Sequence, residues 1–364
     1  LSKEKTRDKN YTMAAAARII GTATALPEYS KSTEEILEYL DPFLANQSQR
    51  FRDKVKRIFK YAQVDRRYAI MPAEDVFRPM SFSEKNRRYV EAVKILSREV
   101  LQKALDDADI DGKELDYIIT VSCTGFMIPS VDAFLINEMD LDQDIVRLPV
   151  TEMGCVGGIS GMIYAQRFLE SHPGSKAAVI AVEAPSATFQ RTDFSMTNMV
   201  SAAIFGDGAA AVIMSSEEGE GPTIRDSGMY HFYNETEMMG FEVVDRGFQM
   251  VLDVEVPEKI ANKFDDILVP FLGRNQMTVE DVDHLIFHPG GKKIIKQVEE
   301  LFQQRGKNIH HTKEVLRQYG NMSSATVLFV LDAFRKGGAH KGEKGLMLSF
   351  GPGFTAQRIL LEWM

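Results

Sequence analysis

A repeat constrains this chain more than anything else in it. Leu115-Asp116-Tyr117-Ile118-Ile119-Thr120-Val121 and Val282-Asp283-His284-Leu285-Ile286-Phe287-His288 each pass from an acidic residue into a short apolar run. Such runs are the pattern of a strand buried on both faces. After the first comes Gly154-Cys155 and the small-residue stretch VGGISGMIYAQRFLES; after the second comes Gly320-Asn321 and MSSATVLFVLDAFRKG. Cys155 follows Val121 by 34 positions and Asn321 follows His288 by 33. The shared strand-to-helix logic predicts an internal duplication, with halves at residues 13–220 and 221–364. Each half presents a polar residue at the start of a buried central helix.

The rest of the chain alternates between strand and helix patterns. Strands are expected at residues 15–21, 117–121 and 177–182, and after the glycine turn of FGDGAAAVIM; helices are expected at 33–40, 51–61, 89–107 and 156–170. This alternation predicts an α/β protein with helices covering a mixed sheet. With 44% hydrophobic and 26% charged residues, disorder as the default state is excluded. The balance of 52 acidic against 43 basic residues, net −9, argues against nucleic acid as the main partner. No apolar run reaches the ~18 residues of a membrane span, and Arg18 interrupts the apolar stretch that begins at Ala14, so no signal-peptide core is expected. Two cysteines make no disulfide framework and fit a reducing cytoplasm. Residues 1–12 are set aside as a disordered or cloning-derived terminus.

Cys155 is the sharpest chemical feature. It lies between Gly154 and Val156-Gly157-Gly158, where a helix begins, and a helix N-terminus favours a thiolate. The plain alternative is a buried structural cysteine. Cys123, in Ser122-Cys123-Thr124-Gly125, lacks the glycine-flanked helix start and reads as a core or cavity-lining residue. His288 ends a buried strand that breaks into Pro289-Gly290-Gly291, at a sheet edge where ligands bind in α/β proteins. Asn321 is placed either as a helix N-cap or as an amide donor facing a cavity. Helix 51–61 and its approach carry Arg50, Arg52, Lys54, Lys56, Arg57 and Lys60. These make either a solvated face or a landing site for an anionic cofactor tail. His310 and His311 are adjacent and cannot share a helix face, and no metal site is expected. Papain-like proteases also combine Cys, His and Asn, but with a different sequence around the cysteine and no such duplication.

The set Gly154-Cys155-Val156-Gly157-Gly158, Phe205-Gly206-Asp207-Gly208-Ala209, His288-Pro289-Gly290-Gly291, Tyr319-Gly320-Asn321-Met322-Ser323-Ser324-Ala325 and Phe350-Gly351-Pro352-Gly353 resembles the type III polyketide synthases, the chalcone and stilbene synthase family. The order and spacing agree from about Ala15 to the C-terminus. The resemblance implies a thiolase-like five-layered α-β-α-β-α fold and a cytoplasmic homodimer. It also implies an acyl-CoA starter and malonyl-CoA as substrates, with no other cofactor and no metal. Cys155 is then the acyl-holding nucleophile, and His288 and Asn321 polarise thioester carbonyls. Phe205 and Phe350 are gatekeepers; Cys123, Thr124, Thr188, Gly240, Met250 and Ser323 line the cavity; Lys54 and Arg57 hold coenzyme A phosphates. A methionine where plant relatives carry Phe, together with the small Gly240, leaves room for an alkyl chain, so alkyl pyrones or alkyl resorcinols are the expected products. The family's Gly-Phe-Gly-Pro-Gly begins here with Ser349.

The chemistry fits these roles. A thiol of pKa ~8.5 is only about 3% thiolate at pH 7. An imidazolium from His288 and the helix N-terminus are expected to bring it to roughly 4–7. Neutral donors on the enolate oxygen formed as malonyl-CoA decarboxylates are worth ~3–4 kcal/mol each. Two alternatives use the same residues: a single-round condensing enzyme like ketoacyl synthase III, and an acyl-CoA thioester hydrolase. A non-catalytic acyl-CoA binder needs no nucleophile.

Overall fold

A computed structural model describes residues 16–364 apart from 305, 306, 308 and 338. The segment 1–12 lies outside the described residues. The strands, in chain order, are β1 (Arg18–Ala25), β2 (Tyr29–Ser32), β3 (Arg66–Ala69), β4 (Tyr117–Val121), β5 (Val146–Val150), β6 (Lys176–Glu183), β7 (Gly208–Ser215), β8 (Pro222–His231), β9 (Met239–Val244), β10 (Gly247–Leu252), β11 (His284–Phe287), β12 (Lys344–Gly351) and β13 (Thr355–Trp363). Nine of them follow the order β11-β12-β13-β8-β1-β7-β6-β4-β5, and the other four form the two-stranded sheet β2–β3 and the hairpin β9–β10.

Two half-sheets meet where β1 and β8 touch at a single pair, Arg18 with Thr223. Outward from this seam, β1, β7, β6 and β4 on one side answer β8, β13, β12 and β11 on the other. The pairings match step for step: antiparallel, antiparallel, then parallel. The repeated sequences Tyr117–Val121 and His284–Phe287 occupy equivalent places in the two halves. β5, parallel to β4, has no counterpart among the described strands.

The helices Gly157–Ser171 and Thr326–Gly337 lie between the half-sheets. The first packs on β4, β6 and β7 and also on β8, β12 and β13; the second packs on β1 and β7 and also on β11. Consecutive burial from Gly157 to Ile163, and from Thr326 to Asp332, is the mark of helices enclosed on every side. Small residues allow this closeness. A Cβ at Gly158 would lie 2.4 Å from the Ser324 carbonyl oxygen, and one at Gly161 would lie 2.6 Å from Val179.

Outside the first half-sheet runs helix Phe82–Ala108, packed on β1, β6 and β7. It starts seven residues before the apolar periodicity does, because its first turn is polar and is capped instead by Ser81, whose hydroxyl accepts from the Glu84 amide at 3.1 Å. Outside the second half-sheet, Phe264, Phe271 and Phe302 of helices Val256–Gly273 and Lys292–Gln303 share a core with Leu285, Leu346, Leu348 and Leu360. The result is the expected five-layered α-β-α-β-α sandwich. Its two central helices begin side by side and so bring Cys155 and Asn321 together.

Candidate active site

Cys155, His288 and Asn321 line one cavity of about 360 Å³ at the starts of the central helices. Cys155 is partly buried on the 3-10 turn Gly154–Val156, which leads into helix Gly157–Ser171. The turn needs glycine at 154, where φ is +51° and a Cβ would strike Pro352. His288 follows β11 and is anchored by its amide, which donates to the Leu348 carbonyl at 2.9 Å. Its ring is buried, and neither ring nitrogen has a hydrogen-bond partner among the described residues.

Asn321 lies one residue before Met322, which immediately precedes the 3-10 turn Ser323–Ala325. Its amide N–H donates to the Ile204 carbonyl at 2.7 Å, and its Oδ1 accepts from the Ser323 amide at 2.8 Å and from Thr326 Oγ1 at 3.3 Å. With the oxygen occupied, the NH₂ end is left to donate, and a hydrogen bond from this side chain favours the Cys155 thiolate.

Phe205, Phe350, Cys123, Thr124, Gly240, Met250 and Ser323 line the same cavity. Thr188 does not. It faces a neighbouring cavity of about 440 Å³, which shares Pro185, Phe205 and Met250 as walls with the first. Gly240 and Met250 arrive on the β9–β10 hairpin, and no atom lies within 4 Å of the position a Cβ at 240 would take. Lys54 and Arg57 are exposed and line neither cavity. Their helix, Gln49–Tyr61, buries Val55 and Phe59 on its other side, and Phe59 walls the larger cavity.

Sequence reading missed Glu183. It ends β6 fully buried, and its carboxylate accepts from the Cys123 amide at 3.0 Å, Thr124 Oγ1 at 2.8 Å and Ser324 Oγ at 2.5 Å. Burial raises its pKa against these hydrogen bonds, which lower it. The signal was available: an ionisable residue closing the apolar run Ala177 to Val182 is costly unless it is bonded. Ser323 Oγ lies 3.4 Å from Cys123 Sγ and 3.8 Å from Cys155 Sγ, between the two thiols.

Burial acts against the expected thiolate–imidazolium pair. Burial pushes the Cys155 thiol up to about 12, with Glu183 adding to the effect and Ser323 and Asn321 opposing it. Burial alone drives the His288 imidazole down to about 3. The physical reason is desolvation, which disfavours each ion taken singly. Taken singly, burial therefore favours the thiol over the thiolate and the imidazole over the imidazolium.

Residues 3–218 match the N-terminal domain of the chalcone and stilbene synthases, and residues 227–364 match their C-terminal domain. The 1,3,6,8-tetrahydroxynaphthalene synthase of Streptomyces coelicolor is 31% identical, over 95% of this chain and 92% of that one. A putative chalcone synthase of Bacillus subtilis is 28% identical over 95% and 99%. The phloroglucinol synthase of Pseudomonas fluorescens is 26% identical over 93% and 96%. The crystal structure of the Streptomyces coelicolor tetrahydroxynaphthalene synthase superposes with a TM-score of 0.90 at 30% identity, covering 95% of this chain and 99% of that one.

Proposed function

We propose, from the premise that this chain belongs to the chalcone and stilbene synthase family of type III polyketide synthases, that it loads an acyl-CoA starter on Cys155 and extends it with malonyl-CoA in repeated rounds before cyclisation. Members of the family are acyl-transferring condensing enzymes that use coenzyme A thioesters and need no further cofactor. The observation that carries the reading is the convergence of Cys155, His288 and Asn321 on one cavity, with the Asn321 oxygen tied down and its NH₂ free to donate.

A neutral imidazole has a nitrogen that accepts a proton. As Cys155 attacks the starter carbonyl, its proton passes to His288, and the departing coenzyme A leaves as the thiol with that proton. The two charges form together, so each compensates the desolvation of the other. Malonyl-CoA then loses CO₂, and the electron pair of the broken carbon–carbon bond becomes an enolate. Its oxygen is held by the Asn321 NH₂ and an imidazole N–H, donors whose neutrality suits an anion that exists only transiently. The enolate carbon attacks the Cys155 thioester and expels the sulfur, leaving the lengthened chain as a thioester of the coenzyme A that carried the malonyl unit; Cys155 then takes the chain back by attack on that thioester, releasing the coenzyme A as a thiol, for another round.

The finer reading is an alkyl pyrone or alkyl resorcinol product. It is supported by the open space at Gly240 and by a second, largely apolar cavity that begins behind Phe205 and Met250. Exposed Lys54 and Arg57 are read as phosphate contacts for coenzyme A. The active unit is read as a cytoplasmic homodimer of chains whose halves divide near residue 220. Product mass spectrometry with a panel of acyl-CoA starters and malonyl-CoA tests this. Two or more C₂ units added per starter support the polyketide reading. A single added unit indicates a one-round condensing enzyme, and free acid without malonyl-CoA consumption indicates a hydrolase.

A further inference from the structure

We propose that Ser349 is a positioning residue for the nucleophile: its buried hydroxyl donates to the Cys155 carbonyl and holds the turn that carries the thiol. The bond is 2.8 Å long, and Ser349 has no solvent exposure. A hydroxyl in such a place is hydrogen-bonded as a rule, and the acceptor here is the backbone of the residue that does the chemistry.

The surroundings make the bond consequential. The end of β12 and the residues after it run backbone to backbone against the turn Gly154–Val156. A Cβ at Gly351 would come within 2.9 Å of the Val156 amide nitrogen, and one at Gly154 within 2.7 Å of Pro352. Packing therefore blocks movement of the turn toward this strap. Within the turn the Val156 amide donates to the Met153 carbonyl and the Gly157 amide to the Gly154 carbonyl, and the Ser349 hydroxyl adds a directional bond to the Cys155 carbonyl from outside it. Ser349 lines neither cavity, so it acts through Cys155. Asn321 is anchored elsewhere, on the Ile204 carbonyl, and the His288 amide is held by the Leu348 carbonyl, next to Ser349 but independent of its side chain.

The proposal rests on Cys155 being the nucleophile. It predicts a split between partial reactions. Steps that need the thiol's orientation slow down, while decarboxylation, which needs the donors, does not. A net hydrogen bond of ordinary strength corresponds to about fivefold in rate. The test compares Ser349→Ala and Ser349→Gly with the wild type. Three rates are followed: iodoacetamide alkylation of the Cys155 peptide, single-turnover acyl loading, and CO₂ release from malonyl-CoA. Alkylation and loading should fall about fivefold in both variants with CO₂ release unchanged. Wild-type alkylation and loading rates in both variants would overturn the proposal. So would a parallel fall in all three rates, which marks general loosening, or a fall confined to Ser349→Gly, which marks glycine's backbone freedom. Alkylation needs no substrate, so it still decides the role of Ser349 if the wild type proves not to consume malonyl-CoA and the polyketide reading fails.

Discussion

Gly158→Ala should damage this protein by a route that can be worked out from the contact it disturbs. The new Cβ would stand 2.4 Å from the Ser324 carbonyl oxygen and 3.3 Å from side-chain carbons of Val327 and Leu328. Comfortable contacts lie near 3.5 Å, so the two central helices must part by about 1 Å. Overpacking typically costs ~1–3 kcal/mol, and a backbone carbonyl cannot swing aside, which places this case at the upper end. Alanine returns ~1 kcal/mol of helix propensity, leaving a net loss of about 2 kcal/mol. Activity should suffer more. Gly158 is three residues beyond Cys155 and Ser324 is three beyond Asn321, so the displacement separates nucleophile from donor. A misplacement of ~1 Å can cost about 10²-fold in rate. Urea unfolding and product formation measure the two effects. Gly273→Ala, where nothing lies within 4 Å of the new Cβ, is the control and should be neutral or stabilising. An unchanged urea midpoint together with full activity in Gly158→Ala would refute the claim that the bare backbone contact sets the site's geometry.

Other consequences are open to direct measurement. Gly240→Leu fills space in the catalytic cavity but at φ +157°, which a side chain rarely adopts, so it should shorten the product chain and also lower the unfolding midpoint; an unchanged product profile would remove this space from the chain's path. Lys54→Ala with Arg57→Ala should raise KM for acyl-CoA more than it lowers kcat, whereas an unaltered KM would return the exposed helix to a solvated face. Burial raises the Cys155 pKa, so the thiolate fraction grows only at high pH. Alkylation of the free enzyme should therefore keep climbing through pH 9, and a plateau reached by pH 7 would mean that His288 already holds the thiol's proton at rest.

The architecture was legible because it rests on patterns local to the chain. The repeated acidic entry, apolar strand and small-residue helix marked the two halves, and the matching strand order is the spatial form of that repeat. Cys155, His288 and Asn321 were legible because each sits at the end of a strand or the start of a helix, where an α/β fold exposes side chains to ligands. What escaped was set by contacts distant in sequence. Glu183 looks like one more residue of a buried strand until Cys123, Thr124 and Ser324 close around it. Thr188 faces the second cavity because Phe205 and Met250, from a helix end and a hairpin, form the partition. The role of Asn321 turned on which of its two amide atoms the backbone claims, and composition is silent on that. The upward push on the Cys155 thiol and the downward push on the His288 imidazole follow from depth of burial, which depends on the whole assembled sandwich.

The division of labour in the cavity is the central claim, and CO₂ release from carboxyl-labelled malonyl-CoA, followed alongside the mass of the acyl-enzyme, tests it most directly. Cys155→Ala should take up no acyl group and form no polyketide yet still release CO₂. Asn321→Ala should accept the starter on Cys155 but lose decarboxylation by ~10²-fold or more, as is typical for deletion of one oxyanion donor. Acylation at Cys123 instead of Cys155, or wild-type CO₂ release from Asn321→Ala, would contradict the account.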